Sequence, residues 1–214
     1  MYINSEHVYF KVERKLDEVM QDVSNYFDLP PSKLRHTHFR EYCDLALGFE
    51  FHPKITGYIS QRKLEAFIQF TEVGPIIMYN PNVRNTGRVN WSISHEICHA
   101  LLEHNKTGTQ VFSQLINEGG YSYEDKELEL EANFGASILM MNTQALEHFI
   151  EVESPFNNLC FEFCMSYAAL SNRLINYLMF HHGFSYNAAN KLVELFKYNE
   201  ITLKQAIKDS LDYI

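Results

Sequence analysis

Apolar positions divide the chain into an N-terminal helical stretch, a short β-rich segment and a long helical remainder. Over residues 8–27, Leu16, Val19, Met20, Val23, Tyr26 and Phe27 recur every three or four positions, the spacing of one helix face. Pro30-Pro31 ends that stretch, and Ser32 can open a second helix running to about residue 47. Residues 57–60, 64–70 and 76–79 read as three short strands, and their short links predict antiparallel pairing. Turn formers crowd residues 80–87, which are expected to be a loop. Helical spacing then returns over 90–104, 124–141 and 161–180, with two shorter pieces toward Ile214. Asn90 or Ser92 can cap the first of these helices, and Gly108 suits its end. The expected class is α+β, a small antiparallel sheet packed against a mainly helical core. One domain over 1–214 is expected: N-terminal helices and the start of the sheet in 1–70, the core in 75–180, and a helical portion in 181–214.

Composition supports a folded domain and narrows its partners. The chain has 214 residues, 46% of them hydrophobic, with 16 Phe and 13 Tyr, enough to bury a substantial core. A formal net charge of −9 argues against nucleic-acid binding as the main function, since phosphate recognition needs clustered Lys and Arg. The short basic run Lys33-Leu34-Arg35-His36 reads as a solvated helix face. The N-terminus lacks a basic segment followed by an apolar one, and no apolar run approaches 18 residues, so a cytoplasmic protein with no membrane contact is expected. Cys43, Cys98, Cys160 and Cys164 are too few for a disulfide scaffold and read as buried free thiols, with Cys160 and Cys164 on one helix face.

Chemistry enters with His95-Glu96-Ile97-Cys98-His99, an H-E-x-x-H motif. Two histidines four residues apart share one helix face and can grip one Zn²⁺, while Glu96 beside them can take a proton from water. No Gly or Pro interrupts residues 88–107, so the motif falls inside an apolar helix, where this chemistry requires it. Cys98 points about 100° away from His99 around that helix and is expected to pack in the core.

A catalytic zinc site needs a third protein ligand and an open fourth position. Downstream lie Glu124, Asp125, Glu127, Glu129 and Glu131, a run whose default role is a solvated helix face. Helical geometry separates them. Glu129 shares a face with Ala132, Asn133 and Ala136, small residues that let two helices approach closely. Glu127 and Glu131 point roughly opposite, which ranks Glu129 first as ligand, Glu131 second and Glu127 third. Asn133 is either an outer partner of a ligand histidine or an ordinary helix contact.

These residues resemble the ImmA/IrrE metallopeptidases. The resemblance runs from Pro75-Ile76-Ile77 through Arg88-Val89-Asn90-Trp91-Ser92-Ile93-Ser94 to the motif and Ala100-Leu101-Leu102. It continues in Glu129-Leu130-Glu131-Ala132-Asn133-Phe134-Gly135-Ala136-Ser137-Ile138-Leu139-Met140, and more weakly in Ser166-Tyr167-Ala168-Ala169-Leu170-Ser171-Asn172-Arg173-Leu174. It implies zinc held by His95, His99 and Glu129, with Glu96 as general base. It also implies a protein substrate, a helix-turn-helix repressor of a bacterial mobile element, phage or stress response. His104, His181, His182, Arg173 and several tyrosines are chemically able to stabilise an oxyanion but are expected to be surface or packing residues. The chain departs from the family at Met141-Asn142, where a proline usually stands; Asn142 can cap the helix instead. The first 70 residues carry no resemblance and no helix-turn-helix. The alternative is a non-catalytic, partner-binding protein of anti-repressor or antitoxin type that retains the peptidase fold; the intact motif does not favour it. Oligomeric state, and whether residues 117–125 cover the cleft, are not legible.

Overall fold

The computed structural model describes residues 4–54, 65–107, 111–113 and 123–211. Asn4 caps α1 (Ser5–Phe27) by accepting from the His7 amide, and Val8, Val12, Leu16 and Met20 repeat every four residues to form its buried stripe. Asp28 ends α1 in a left-handed conformation. The second helix is shorter than expected. Pro31–Lys33 form a 3₁₀ turn, and α2 (His36–Leu45) begins only after Arg35, whose amide donates to His38 Nδ1.

Four strands form one sheet, β1 (Glu50–His52), β2 (Ala66–Thr71), β3 (Gly74–Tyr79) and β4 (Val111–Ser113), in the order β1-β3-β2-β4. The sheet is mixed. β2 is antiparallel to β3, as expected of their short link, and also to β4, a strand not anticipated; β1 runs parallel to β3 and corrects the expectation of a purely antiparallel sheet. β1 and β3 are spatial neighbours separated in sequence by β2, so no short link dictates their direction. The strand expected at 57–60 lies outside the described residues, as do Gly108 and residues 114–122. Ile68 and Ile77 oppose each other in the β2–β3 register and are fully buried, which seats the sheet's inner face on the helices.

The remainder is helical. The helix expected at 90–104 is α3 (Thr86–Leu101), which starts earlier because Asn85 accepts from the Arg88 amide. The stretch expected at 124–141 is α4 (Tyr123–Met140). α5 (Thr143–Glu151), not anticipated, follows at once: Asn142 accepts from the Ala145 amide and so caps the start of α5 rather than the end of α4. The stretch expected at 161–180 is broken into α6 (Phe156–Glu162) and α7 (Tyr167–His182). Cys164 is left-handed in the break, exposed and off the helix, so it shares no helix face with Cys160. The break has a packing role, because a Cβ on Gly87 would lie 2.7 Å from the Ser166 nitrogen; the first turn of α3 rests directly on this connection. α8 (Tyr186–Lys197) and α9 (Leu203–Leu211) complete the chain.

Two apolar clusters carry the packing, one joining α1 to the sheet, α3 and α4, the other formed by α5–α9. Arg173 of α7, 0% exposed, ties α7 to α1 and to the start of α5. It donates to the Met141 carbonyl at 2.7 Å, Tyr9 Oη at 2.8 Å and Thr143 Oγ1 at 2.9 Å. Thr143 donates in turn to Glu13 Oε1 at 2.6 Å, and His181 Nε2 lies 3.1 Å from the same oxygen. Burial alone would raise the Glu13 carboxyl, but His181 and Thr143 hold it below its ordinary range. None of these partners belongs to the H-E-x-x-H motif, so Arg173 and His181 act as packing residues.

Candidate metal centre

α3 carries His95, Glu96 and His99 into the interior, where all three are essentially buried. The sheet lies along one side of the helix and α4 along another. The helices are in close contact at Gly135, where an added Cβ would lie only 2.6 Å from Cys98 Sγ. Ala132 and Ala136 are fully buried on the same helix, and Gly135 beside them makes room for Cys98. Asn133 is exposed and makes no hydrogen bond to either histidine.

The approach brings Glu129 to the histidine pair. His95 Nε2 and His99 Nε2 are 3.0 Å apart. Glu129 Oε2 lies 3.3 Å from His95 Nε2, and Oε1 lies 3.7 Å from His99 Nε2. Among the described residues this is the one His/Cys/Asp/Glu group whose donor atoms converge as a metal site requires. Glu129 is 20% exposed, so the group opens to solvent on its side. Glu127 and Glu131 are not part of it.

Glu96 is enclosed differently. Neither carboxylate oxygen has a hydrogen-bond partner among the described residues, although the backbone of Ile68 on β2 lies nearby. Burial, and then the neighbouring Glu129 charge, raise its carboxyl well above the ordinary range. Burial and the adjacent His95 and His104 rings hold His99 far below the ordinary imidazole range, so its ring is neutral. A neutral imidazole is the form that binds a metal.

A further set of residues stands behind His99 and was not foreseen from the sequence. Leu101 ends α3, Glu103 adopts a left-handed φ of 61°, and the chain turns back into a 3₁₀ turn, His104–Thr107. That reversal buries His104 with its Nδ1 2.9 Å from His99 Nδ1. His104 Nε2 lies 3.2 Å from Glu131 Oε2, and Lys11 of α1 donates to Glu131 Oε1 at 2.6 Å. Burial would raise the Glu131 carboxyl, but His104 and Lys11 outweigh it and hold it low. The one signal in the sequence was a third histidine five residues beyond the motif.

A helix-borne H-E-x-x-H pair, a glutamate from the next long helix and a sheet beside the first helix together define a metallopeptidase-type domain. Comparison with protein families agrees: residues 58–191 match the M78 peptidase family, described as the IrrE N-terminal-like domain, and the chain belongs to it. No curated protein matches the chain. The matched region contains His95, Glu96, His99, His104, Glu129 and Glu131, and leaves α1, α2 and β1 outside. Among the described residues no helix is long and apolar enough to cross a membrane.

Proposed function

We propose that the protein is a zinc-dependent endopeptidase in which His95, His99 and Glu129 hold the metal and Glu96 is the general base. The observation that carries this reading is the spacing of the donor atoms. Ligands bound at about 2.0–2.1 Å in a tetrahedron lie about 3.3 Å apart. The two histidine nitrogens stand 3.0 Å apart, near that value; Glu129 offers Oε2 at 3.3 Å to His95 and Oε1 at 3.7 Å to His99, and one donor atom from each of the three residues falls within 4.8 Å of the others. Two histidines and a glutamate are also a catalytic donor set, leaving a fourth position for substrate or water.

Zinc in such a site is a Lewis acid that brings the pKa of water toward about 7 and polarises the scissile carbonyl. The remaining chemistry falls to Glu96. Its carboxyl, buried and without a hydrogen-bond partner among the described residues, would ionise beside the bound cation and then accept the proton of the attacking water and return it to the leaving amine. The proposed substrate is a helix-turn-helix repressor. Support comes from family membership and from the net charge of −9, which complements the basic surface such repressors present to DNA. A cytoplasmic location follows from that substrate.

The test is to incubate the zinc-loaded protein with a helix-turn-helix repressor encoded beside its gene. Discrete fragments are expected from the wild type, while Glu96→Gln retains zinc and loses about 10²–10⁴-fold in rate. Undiminished cleavage by Glu96→Gln refutes the mechanism. Stable complexes without cleavage by either protein favour the partner-binding reading.

A further inference from the structure

We propose that His104, Glu131 and Lys11 form a relay that fixes the tautomer and ring orientation of His99, and so couples the N-terminal helix α1 to the metal centre. The inference rests on the metal-site reading above. It follows from proton placement along three contacts. His99 turns Nε2 toward His95 and Glu129, which leaves Nδ1 facing His104 Nδ1 at 2.9 Å. Two imidazole nitrogens at that distance need one proton between them. A neutral ring that offers its Nε2 lone pair to a metal carries its proton on Nδ1, so His99 is the donor and His104 the acceptor. His104 then carries its own proton on Nε2, 3.2 Å from the Glu131 carboxylate. Lys11 donates to the other oxygen of Glu131 at 2.6 Å.

Every polarity in this chain follows from the one before it, and each agrees with the chemistry of the group that must adopt it. Lys11 has only protons to donate and Glu131 as a carboxylate only accepts, so the far end of the relay is set independently of the metal. His104 and Glu131 are nearly enclosed, with side chains 2% and 5% exposed, so water does not compete for their contacts. An outer partner of this kind orients a ligand ring and raises its basicity. Glu131, two residues beyond Glu129 and pointing elsewhere on α4, thereby serves the same site from behind. Lys11 belongs to α1, outside the residues matched by the family, so the relay reaches from the matched region to a helix beyond it.

Zinc affinity measured by competition with a chromophoric chelator, starting from metal-free protein, tests the relay without reference to turnover. His104→Phe is expected to raise the zinc Kd about 10–100-fold. His104→Asn should recover much of that loss, because its amide oxygen can take the acceptor place of Nδ1. Lys11→Met, whose side chain is 56% exposed, should weaken zinc by less than about 5-fold. Long-range ¹H–¹⁵N spectra of the zinc-loaded wild type should show His99 protonated at Nδ1. Wild-type affinity in His104→Phe, equal weakening in the Phe and Asn variants, or His99 protonated at Nε2 would each overturn the relay. Should His104→Phe fail to fold, the Asn variant and the wild-type spectrum still decide. Failure of the wild type itself to bind zinc would refute the metal-site reading instead.

Discussion

Gly135→Ala asks whether the contact between α3 and α4 sets the position of Glu129. The added methyl would lie 2.6 Å from Cys98 Sγ, 3.1 Å from Cys98 Cβ and 3.5 Å from Leu16 Cδ1. Ordinary carbon contacts sit near 3.5–4.0 Å, so the helices must part by about 0.9 Å or Cys98 must move. Cys98 is fully buried on a rigid helix and has little room to move. Overpacking of this kind costs about 1–3 kcal/mol, while replacing a helical glycine by alanine returns about 1 kcal/mol. A net loss of about 1 kcal/mol is therefore expected in urea unfolding of the metal-free protein. The effect on metal should be larger. Glu129 stands six residues before Gly135, about 9 Å along α4, and ligand distances tolerate only about 0.2 Å. A displacement even half as large as that at Gly135 exceeds the tolerance, so zinc affinity by chelator competition should fall at least about tenfold. Adding Cys98→Ala removes the 2.6 Å clash and leaves the 3.1 Å one, so the double variant should regain most of both losses. Wild-type zinc affinity in Gly135→Ala would show that this contact does not position the third ligand.

Three other outcomes are expected. Zinc affinity should fall most in Glu129→Ala, beyond the roughly 10–100-fold due to an outer partner, less in Glu131→Ala, and little in Glu127→Ala; equal losses in all three would remove Glu129 from the ligand set. Arg173→Met leaves Tyr9, Thr143 and the Met141 carbonyl without their buried donor and should cost about 3–5 kcal/mol in denaturant unfolding; a loss under about 1 kcal/mol would show that the network is dispensable. His36, whose Nδ1 is buried without a partner, is pushed down to about 4 by burial and by Arg40 and His38. The unfolded chain therefore takes up its proton first as pH falls from about 6.5 to 4, and stability declines through that window. For a ring that keeps some exposure the loss is about 1–2 kcal/mol, and His36→Gln should flatten that part of the pH profile; parallel profiles for the two proteins would refute the assignment.

The periodicity of an α-helix makes some of this legible and hides the rest. Glu129 stood apart from Glu127 and Glu131 because residues two positions apart on a helix differ by about 200° in direction, and the structure respects that separation. Residues 90–104 read as one continuous helix, and His104 five residues beyond His99 would then point about 140° away from it. The chain instead leaves α3 after Leu101, and Glu103 makes the turn in a left-handed conformation that nothing in its residue type announces. The relay behind His99 was invisible for that reason. β1 was missed on other grounds: its three residues are mostly exposed and too few for their polar–apolar–polar alternation to announce a strand, and its partner is found across the sheet, not next in sequence. The break after Glu162 was equally silent, since it answers the close seat of Gly87 on a distant part of the chain.

Three glutamates of the motif helix and its supports are largely enclosed, and their surroundings distinguish their roles. Glu13 receives Thr143 and faces His181, and Glu131 receives Lys11 and faces His104; both are held below the ordinary carboxyl range. Such partnered carboxylates satisfy one another's hydrogen bonds and serve to join helices. Glu96 is more deeply buried than either, has no partner among the described residues, and is raised instead. A buried carboxyl left this way costs stability, and an apolar side chain of similar size would pack in its place at less expense. Among the described residues Glu96 is thus the buried carboxyl with both oxygens left without a partner, and it stands beside the metal-facing histidines, where a proton acceptor is needed.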